Sequence, residues 1–179
     1  MRLRPVVSES RAPRPETASA PALTVHRLAY ALIAAGIFVA DQVTKGLVES
    51  RIPPFAIVTV IPHFFNLTNT KNPGAAFGLF ADSPAPWKTA FLVVVSALLI
   101  ATVVSVVWRS RRLDWQAGLG LSLILGGALS NLTDRIRFGR VVDFLDLYFR
   151  NYHWYTFNVA DSAIVVGACF LIVRVMFAK

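Results

Sequence analysis

The sequence predicts an all-α membrane protein with four transmembrane helices and a small β-sheet in the connection between the first two. Three observations carry this prediction. Of 179 residues, 55% are hydrophobic and 16% charged, with a mean hydropathy of +0.57; a soluble domain has about 45–50% apolar and about 25% charged residues. Four stretches reach the roughly 20 residues of helix that cross a bilayer. Basic residues gather at one set of their ends, as the orientation of membrane helices requires. The length suits one domain.

Residues 1–27 come first. Arg2, Arg4, Arg11, Arg14 and Arg27 lie there among Pro5, Pro13, Pro15 and Pro21, with two glutamates. Such a stretch reads as a disordered basic tail. It resembles the n-region of a signal peptide, but Phe38 stands where a small residue is needed before Ala40, and further apolar runs follow, so it reads as uncleaved. Residues 28–179 then form a single membrane domain.

The first span covers 28–48 and contains Asp41 and Lys45, an acid and a base at the spacing that shares one helix face. That spacing supports a structural pair. The connection 52–81 holds two runs rich in β-branched and aromatic residues, 55–61 and 64–70, separated by Pro62 and followed by Asn72, Pro73 and Gly74. They predict a small antiparallel sheet resting on the membrane surface. The second span, 89–108, is uncharged and is followed by Arg109, Arg111 and Arg112. The third, 115–133, carries a small-residue face of Gly126, Gly127, Ala128 and Ser130 suited to close helix packing. The fourth, 154–173, contains Asp161, and also Cys169, which reads as a packing residue. A lone cysteine excludes an internal disulfide and a Cys-based metal framework.

Four spans put both termini on one side. The tail, Arg109 to Arg112, Arg174 and Lys179 all fall there, which makes that side cytoplasmic. Arg135, Arg137, Arg140 and Arg150 oppose this assignment, but Asp134, Asp143 and Asp146 lie among them, so these arginines are expected to pair within a folded feature.

Ionisable groups within spans default to functional hypotheses. Antiparallel spans bring the end of the third helix and the start of the fourth to one depth, so carboxylates some twenty residues apart can meet. Two carboxylates held close share a proton, and such a pair can activate water while polarising an amide carbonyl. Asp134 precedes Arg135, whose charge favours a permanently ionised, structural carboxylate. Asp143 and Asp161 have apolar neighbours and form the preferred dyad, with Asp134 as substitute and Asp146 third. The bland reading makes each a helix cap or ion-pair partner. Asn72, Asn131 and Asn158 either hold a peptide backbone in register or cap helices. His26, His63 and His153 lack ligand spacing, so no metal is expected, and the arginines at 135–150 do not form a nucleic-acid surface. A small proton-coupled transporter using Asp41, Lys45 and Asp161, and a scaffold whose aspartates only pair with arginines, are the rival readings.

Five blocks, in order, resemble the bacterial lipoprotein signal peptidases (signal peptidase II). They are Asp41 and Gln42 with Lys45; Asn72 with Gly74, Ala75, Ala76, Phe77 and Gly78; Gly126, Gly127 and Ala128 with Asn131, Asp134 and Arg135; Val141, Val142, Asp143 and Phe144; and Phe157 to Ala163 around Asn158 and Asp161. The resemblance spans about residues 28 to 177. It implies an inner-membrane aspartic endopeptidase that cleaves prolipoproteins before a diacylglyceryl-modified cysteine, with no cofactor, as a monomer among phospholipids. By the same matching, Asp143 and Asp161 are catalytic. Asn72, Asn131, Arg135 and Asn158 would line the substrate site, and Asp41 and Lys45 would steady the first helix, with Asp134 kept structural from its charged neighbour. The region 55–77 resembles the family's extracytoplasmic cradle. Pro73 and Ser130 depart from the family's usual Thr and Gly.

Overall fold

The computed structural model describes residues 20–74, 87–110 and 113–177, with side chains from residue 26 onward. Among them are four long helices, α1 (Ala20–Arg51), α2 (Trp87–Arg109), α3 (Trp115–Phe138) and α4 (Val159–Met176), and four strands, β1 (Ile57–Ile61), β2 (Phe65–Asn72), β3 (Val141–Phe149) and β4 (Tyr152–His153). Three helices are long and apolar enough to cross a membrane: His26–Arg51 within α1, α2 and α4. In α3, four glycines, two serines and Asn131 dilute the hydropathy. Those same small residues make it the central helix, packed against α1, α2 and α4.

The close approach is visible at two adjacent glycines. A Cβ on Gly126 would lie 2.4 Å from the Ala34 carbonyl oxygen of α1, and one on Gly127 would lie 2.4 Å from the Ala160 oxygen of α4. No side chain fits there, so backbone meets backbone on both flanks of α3. The outward faces of the other helices carry exposed apolar residues such as Leu32, Val39, Leu98, Val165 and Ile172, as a lipid-facing surface requires.

One end of the bundle is stapled by polar contacts. Asp114 caps α3, accepting from the Ala117 N–H at 2.9 Å, and pairs with Arg174 Nε of α4 at 2.7 Å. The Ala117 N–H and the Arg174 guanidinium together hold the Asp114 carboxyl below its usual range. Arg27 of α1 donates to the Trp108 carbonyl in the last turn of α2 (3.1 Å) and to the Ser110 carbonyl just past its end (3.4 Å), the helix end that favours a cation.

The sheet lies at the other end, in the order β1-β2-β3-β4, with every pairing antiparallel. Thr70 pairs with Asp143 and Asn72 with Val141, and the β2–β3 register shifts between Leu67 and Thr70. Val142 and Phe144 of β3 pack with Val48 of α1 and Ile52 just beyond it in a small core that fixes the sheet to the bundle. β1 is exposed throughout.

Several expectations need correction. The sheet is not confined to the connection between the first two helices: β3 and β4 come from the segment after α3. β3 is buried over Val141, Val142, Asp143 and Phe144 in succession, so it lacks the alternation that marks a half-buried strand. α3 runs one turn beyond 133 and ends at Gly139, which adopts the left-handed conformation (φ 68°) of a helix C-terminus. α4 starts at Val159, because Phe157 is instead bridged to Leu145. α1 begins at Ala20, ahead of the apolar run. Cys169 is exposed on α4 and is not a core packing residue. Residues 1–19, the motif residues 75–78, Arg111, Arg112 and Lys179 lie outside the described residues.

Candidate active site

Two linked polar networks occupy the sheet end of the bundle. The deeper one centres on Lys45. Its ammonium lies 2.6 Å from Asp41 Oδ2, one turn back on α1, and 2.6 Å from Asp134 Oδ2 on α3. It also donates to Asn131 Oδ1 at 2.9 Å. Asp41 accepts from the Ser130 hydroxyl (2.7 Å) and, through Oδ1, from the Ala160 N–H of α4 (2.8 Å). Gln42 Nε2 donates to Ser130 Oγ (2.9 Å) and Asp134 Oδ1 (2.8 Å). Asp41, Lys45, Ser130 and Asp134 are all buried, and every charge has a partner, as burial demands. The cluster ties α1, α3 and the first turn of α4 into one unit.

Asp134 therefore binds Lys45, not the adjacent Arg135. Consecutive helix residues point about 100° apart and do not face each other. Arg135 turns the other way. Its guanidinium donates to the Gly74 carbonyl at 3.1 Å and to the Asn131 carbonyl at 3.3 Å, pinning the chain after β2 to α3. Among the described residues Asp146 likewise pairs with no arginine: it accepts from Asn66 Nδ2 at 2.9 Å and meets His153 Nδ1 at 2.9 Å.

The second network contains both preferred carboxylates. Asp143 projects from β3 and accepts on each oxygen: from Asn158 Nδ2 on Oδ1 (2.7 Å) and from Asn72 Nδ2 on Oδ2 (2.9 Å). Asp161, in the first turn of α4, accepts from Asn131 Nδ2 at 2.8 Å. Asn158 spans the two acids. Its amide nitrogen reaches Asp143, while its oxygen caps α4 by accepting the Asp161 N–H at 2.8 Å. The alternatives of helix cap and site residue thus coincide at Asn158. Asn72 is similarly divided, since its Oδ1 accepts from the Gly74 N–H at 2.8 Å. That turn uses the residue after Pro73, so the N–H that proline lacks is not needed.

Asp143, Asp161, Asn72 and Arg135 line a cavity of about 480 Å³ whose other walls include Leu147, Phe157, Ile164, Val165 and Val166. Val165 and Val166 are exposed on the outward face of α4, so the cavity opens sideways, toward lipid. Asp143 is 1% exposed. Burial, and then the charge of Asp161, push its carboxyl up to about 7 against the pull of the Asn72 and Asn158 amides. A carboxyl with that value holds or releases a proton near neutrality, which suits general acid–base chemistry.

The structure thus brings Asp143, Asp161, Asn72 and Arg135 to one cavity, with Asn131 and Asn158 hydrogen-bonded to the two acids, and joins Asp41, Lys45 and Asp134 to them through Asn131. Sequence reasoning passed over Gln42 and Ser130, although both lie in quoted motifs, because neither is ionisable. It also passed over the cavity walls at Trp154, Tyr155 and Thr156, which read as part of the fourth span.

Comparison with known proteins gives consistent matches. Residues 33–177 match the family model described as signal peptidase (SPase) II. The lipoprotein signal peptidase of Solibacter usitatus (strain Ellin6076) is 48% identical over 147 residues, 82% of this chain and 90% of the relative. That of Desulforapulum autotrophicum is 43% identical over 148 residues, 83% and 91% of the two chains. Among solved structures, a bacterial membrane enzyme determined by the in meso method at 2.3 Å superposes with a TM-score of 0.75 at 30% identity, covering 83% of this chain and 87% of the other. A second, at 1.9 Å, gives 0.74, also at 30% identity, over 84% and 94%.

Proposed function

This chain belongs to the lipoprotein signal peptidase (signal peptidase II) family, and we propose that it removes the signal peptide of prolipoproteins by cleaving before a diacylglyceryl-modified cysteine, with Asp143 and Asp161 as an aspartic dyad. The observation that carries this reading is the meeting of two acids, from a strand and from a helix, at one laterally open cavity. A lipid-anchored substrate stays in the bilayer, and a side opening beside Val165 and Val166 lets it enter without leaving lipid.

In this mechanism the dyad shares one proton. One carboxylate takes a proton from water as the oxygen attacks the scissile carbonyl, and the protonated partner donates a hydrogen bond to the developing oxyanion. The apparent pKa values belong to the pair. Asn131 and Asn158 fix the carboxylates, Asn72 and Arg135 hold the chain after β2 at the cavity mouth, and substrate backbone groups pair with these polar side chains. Asp41, Lys45 and Asp134 serve as the structural base beneath them.

The same reading gives four spans, α3 crossing as the third beside the three more apolar helices, and both termini on the cytoplasmic side of the inner membrane. The protein then works as a monomer on its prolipoprotein, among phospholipids, with residues 1–27 as a basic cytoplasmic tail. Support comes from Arg27, Arg109 and Arg174, which gather at the bundle end opposite the sheet, and from the positive-inside tendency. The test is cleavage by purified Asp143→Asn and Asp161→Asn. Each is expected to lose at least about 10³-fold in kcat while remaining folded; substantial residual cleavage by either removes that residue from the dyad.

A further inference from the structure

Beside the dyad cavity lies a second cavity, of about 230 Å³, lined by Phe55, Ile57, Thr68, Thr70, Asp146, His153, Trp154 and Thr156. Trp154 and Thr156 line both cavities, so the two are neighbours across a shared wall. The proposed mechanism uses none of the groups peculiar to the second. We propose that it is a subsite for a cationic side chain, lysine or arginine, of the lipoprotein segment downstream of the modified cysteine, with Asp146 as its counter-ion; this rests on the peptidase reading above.

The chemistry of the walls selects that ligand. Asp146 is the one carboxylate among the lining residues, and its side chain is only 6% exposed. Both its oxygens lie near His153 Nδ1, at 2.9 and 3.1 Å, and Oδ2 accepts from Asn66 Nδ2 at 2.9 Å. The Asn66 amide is uncharged, so its hydrogen bond leaves the charge of the carboxylate in place, and the contact with the His153 ring fixes the carboxylate's orientation. Behind it, Asn66 Oδ1 is buried and accepts no hydrogen bond among the described residues. The imidazole is fixed by stacking on Tyr148, with ring centroids 5.1 Å apart and planes 10° from parallel. The threonine hydroxyls are further acceptors.

The aromatic walls point the same way. Phe55 sits in the left-handed region (φ 62°) and is 75% exposed. A bulky residue there is strained, and its conformation is maintained by the Phe55 N–H donating to Asn69 O at 3.0 Å. Phe55 lines the cavity together with Trp154 and Asp146. A cavity lined by a carboxylate and two aromatic rings suits an ammonium or guanidinium, which can gain from both the charge and the ring faces. Direction follows from the fold: an apolar signal peptide stays with the helices, while the chain beyond the scissile bond leads out over the sheet, where this cavity lies.

The experiment compares diacylglyceryl-modified prolipoproteins bearing Lys, Ala or Glu at each of the first six positions after the cysteine, cleaved by the purified full-length protein. At one or two positions, Lys is expected to raise kcat/KM about tenfold over Glu, through KM, as one charge-assisted hydrogen bond allows. Asp146→Asn is expected to erase that preference while cleaving the Ala substrate at the wild-type kcat. Equal cleavage of the Lys, Ala and Glu series by the wild type would overturn the proposal, and that arm needs no variant to fold. Retention of the preference in Asp146→Asn would also overturn it. The same cation chemistry exists in an ethanolamine headgroup. If Asp146→Asn instead changes only the response to replacing phosphatidylglycerol by phosphatidylethanolamine in the assay, the subsite serves lipid and the peptide assignment fails. Cleavage of the Ala substrate reports on the peptidase reading separately.

Discussion

Asp143 is buried in β3 with an amide on each oxygen, and burial together with Asp161 raises its carboxyl from 3.8 to about 7. Between those two values the folded protein retains a proton that the unfolded chain has released, so stability from this group is present below about 4 and is lost as pH rises to about 7. The neutral variant Asp143→Asn feels no such loss. Its unfolding free energy relative to wild type is expected to rise across pH 4 to 7 by on the order of a few kcal/mol. The slope carries the test, because any constant offset from the altered hydrogen bonds cancels; a difference that stays flat with pH in thermal unfolding would contradict it. At this scale much of the site was legible. Asp143 and Asp161 stood out because carboxylates in apolar surroundings are costly unless used. Asn72, Asn131 and Asn158 stood out as amides near the ends of spans, with helix capping as the alternative, and their substrate role, like that of Arg135, came from motif resemblance. Ser130 and Gln42 were illegible as parts of the Asp41–Lys45–Asp134 cluster, since neutral hydrogen-bonding side chains give no signal until their partners are in place.

Elements carry these residues to their meeting point, and helix α3 governs how closely they meet. Gly127 lets it touch the Ala160 carbonyl of α4, immediately before Asp161. Gly127→Val is expected to push the start of α4 away, costing about 1–3 kcal/mol and most of the cleavage activity. Gly36→Ala is the control: a Cβ there meets nothing within 4 Å, so stability is expected to hold or rise slightly. Equal thermal shifts for the two variants would refute the packing argument. The small-residue face of α3 was readable in sequence, because close helix packing leaves a compositional mark. Strand β3 was not. Its buried run hides the alternation of a strand, and its charged neighbours drew attention to arginine pairing that the fold does not make. The pairing of Thr70 with Asp143 arises from two segments far apart in sequence, which local pattern cannot encode.

For the molecule as a whole, the Lys45 cluster joins three helices, and its removal leaves Asp41 and Asp134 buried without their cation. Lys45→Met is expected to cost about 3–5 kcal/mol and to lower the yield of folded protein, with partial recovery when Asp134→Asn is added; a Lys45→Met protein as stable as wild type would deny the cluster its structural role. The helical membrane architecture was legible from composition and run length alone, whereas the two-part sheet depended on tertiary pairing. What unites the scales is a laterally open cavity with two acids at its wall, in a chain of the signal peptidase II family. The most direct measurement is cleavage of a diacylglyceryl-modified prolipoprotein by the purified protein in detergent, with a metal chelator present, beside its Asp143→Asn variant. Chelator-resistant cleavage by the wild type, absent from the variant, is the expected result. Cleavage abolished by the chelator, or retained by Asp143→Asn, would contradict the aspartic dyad.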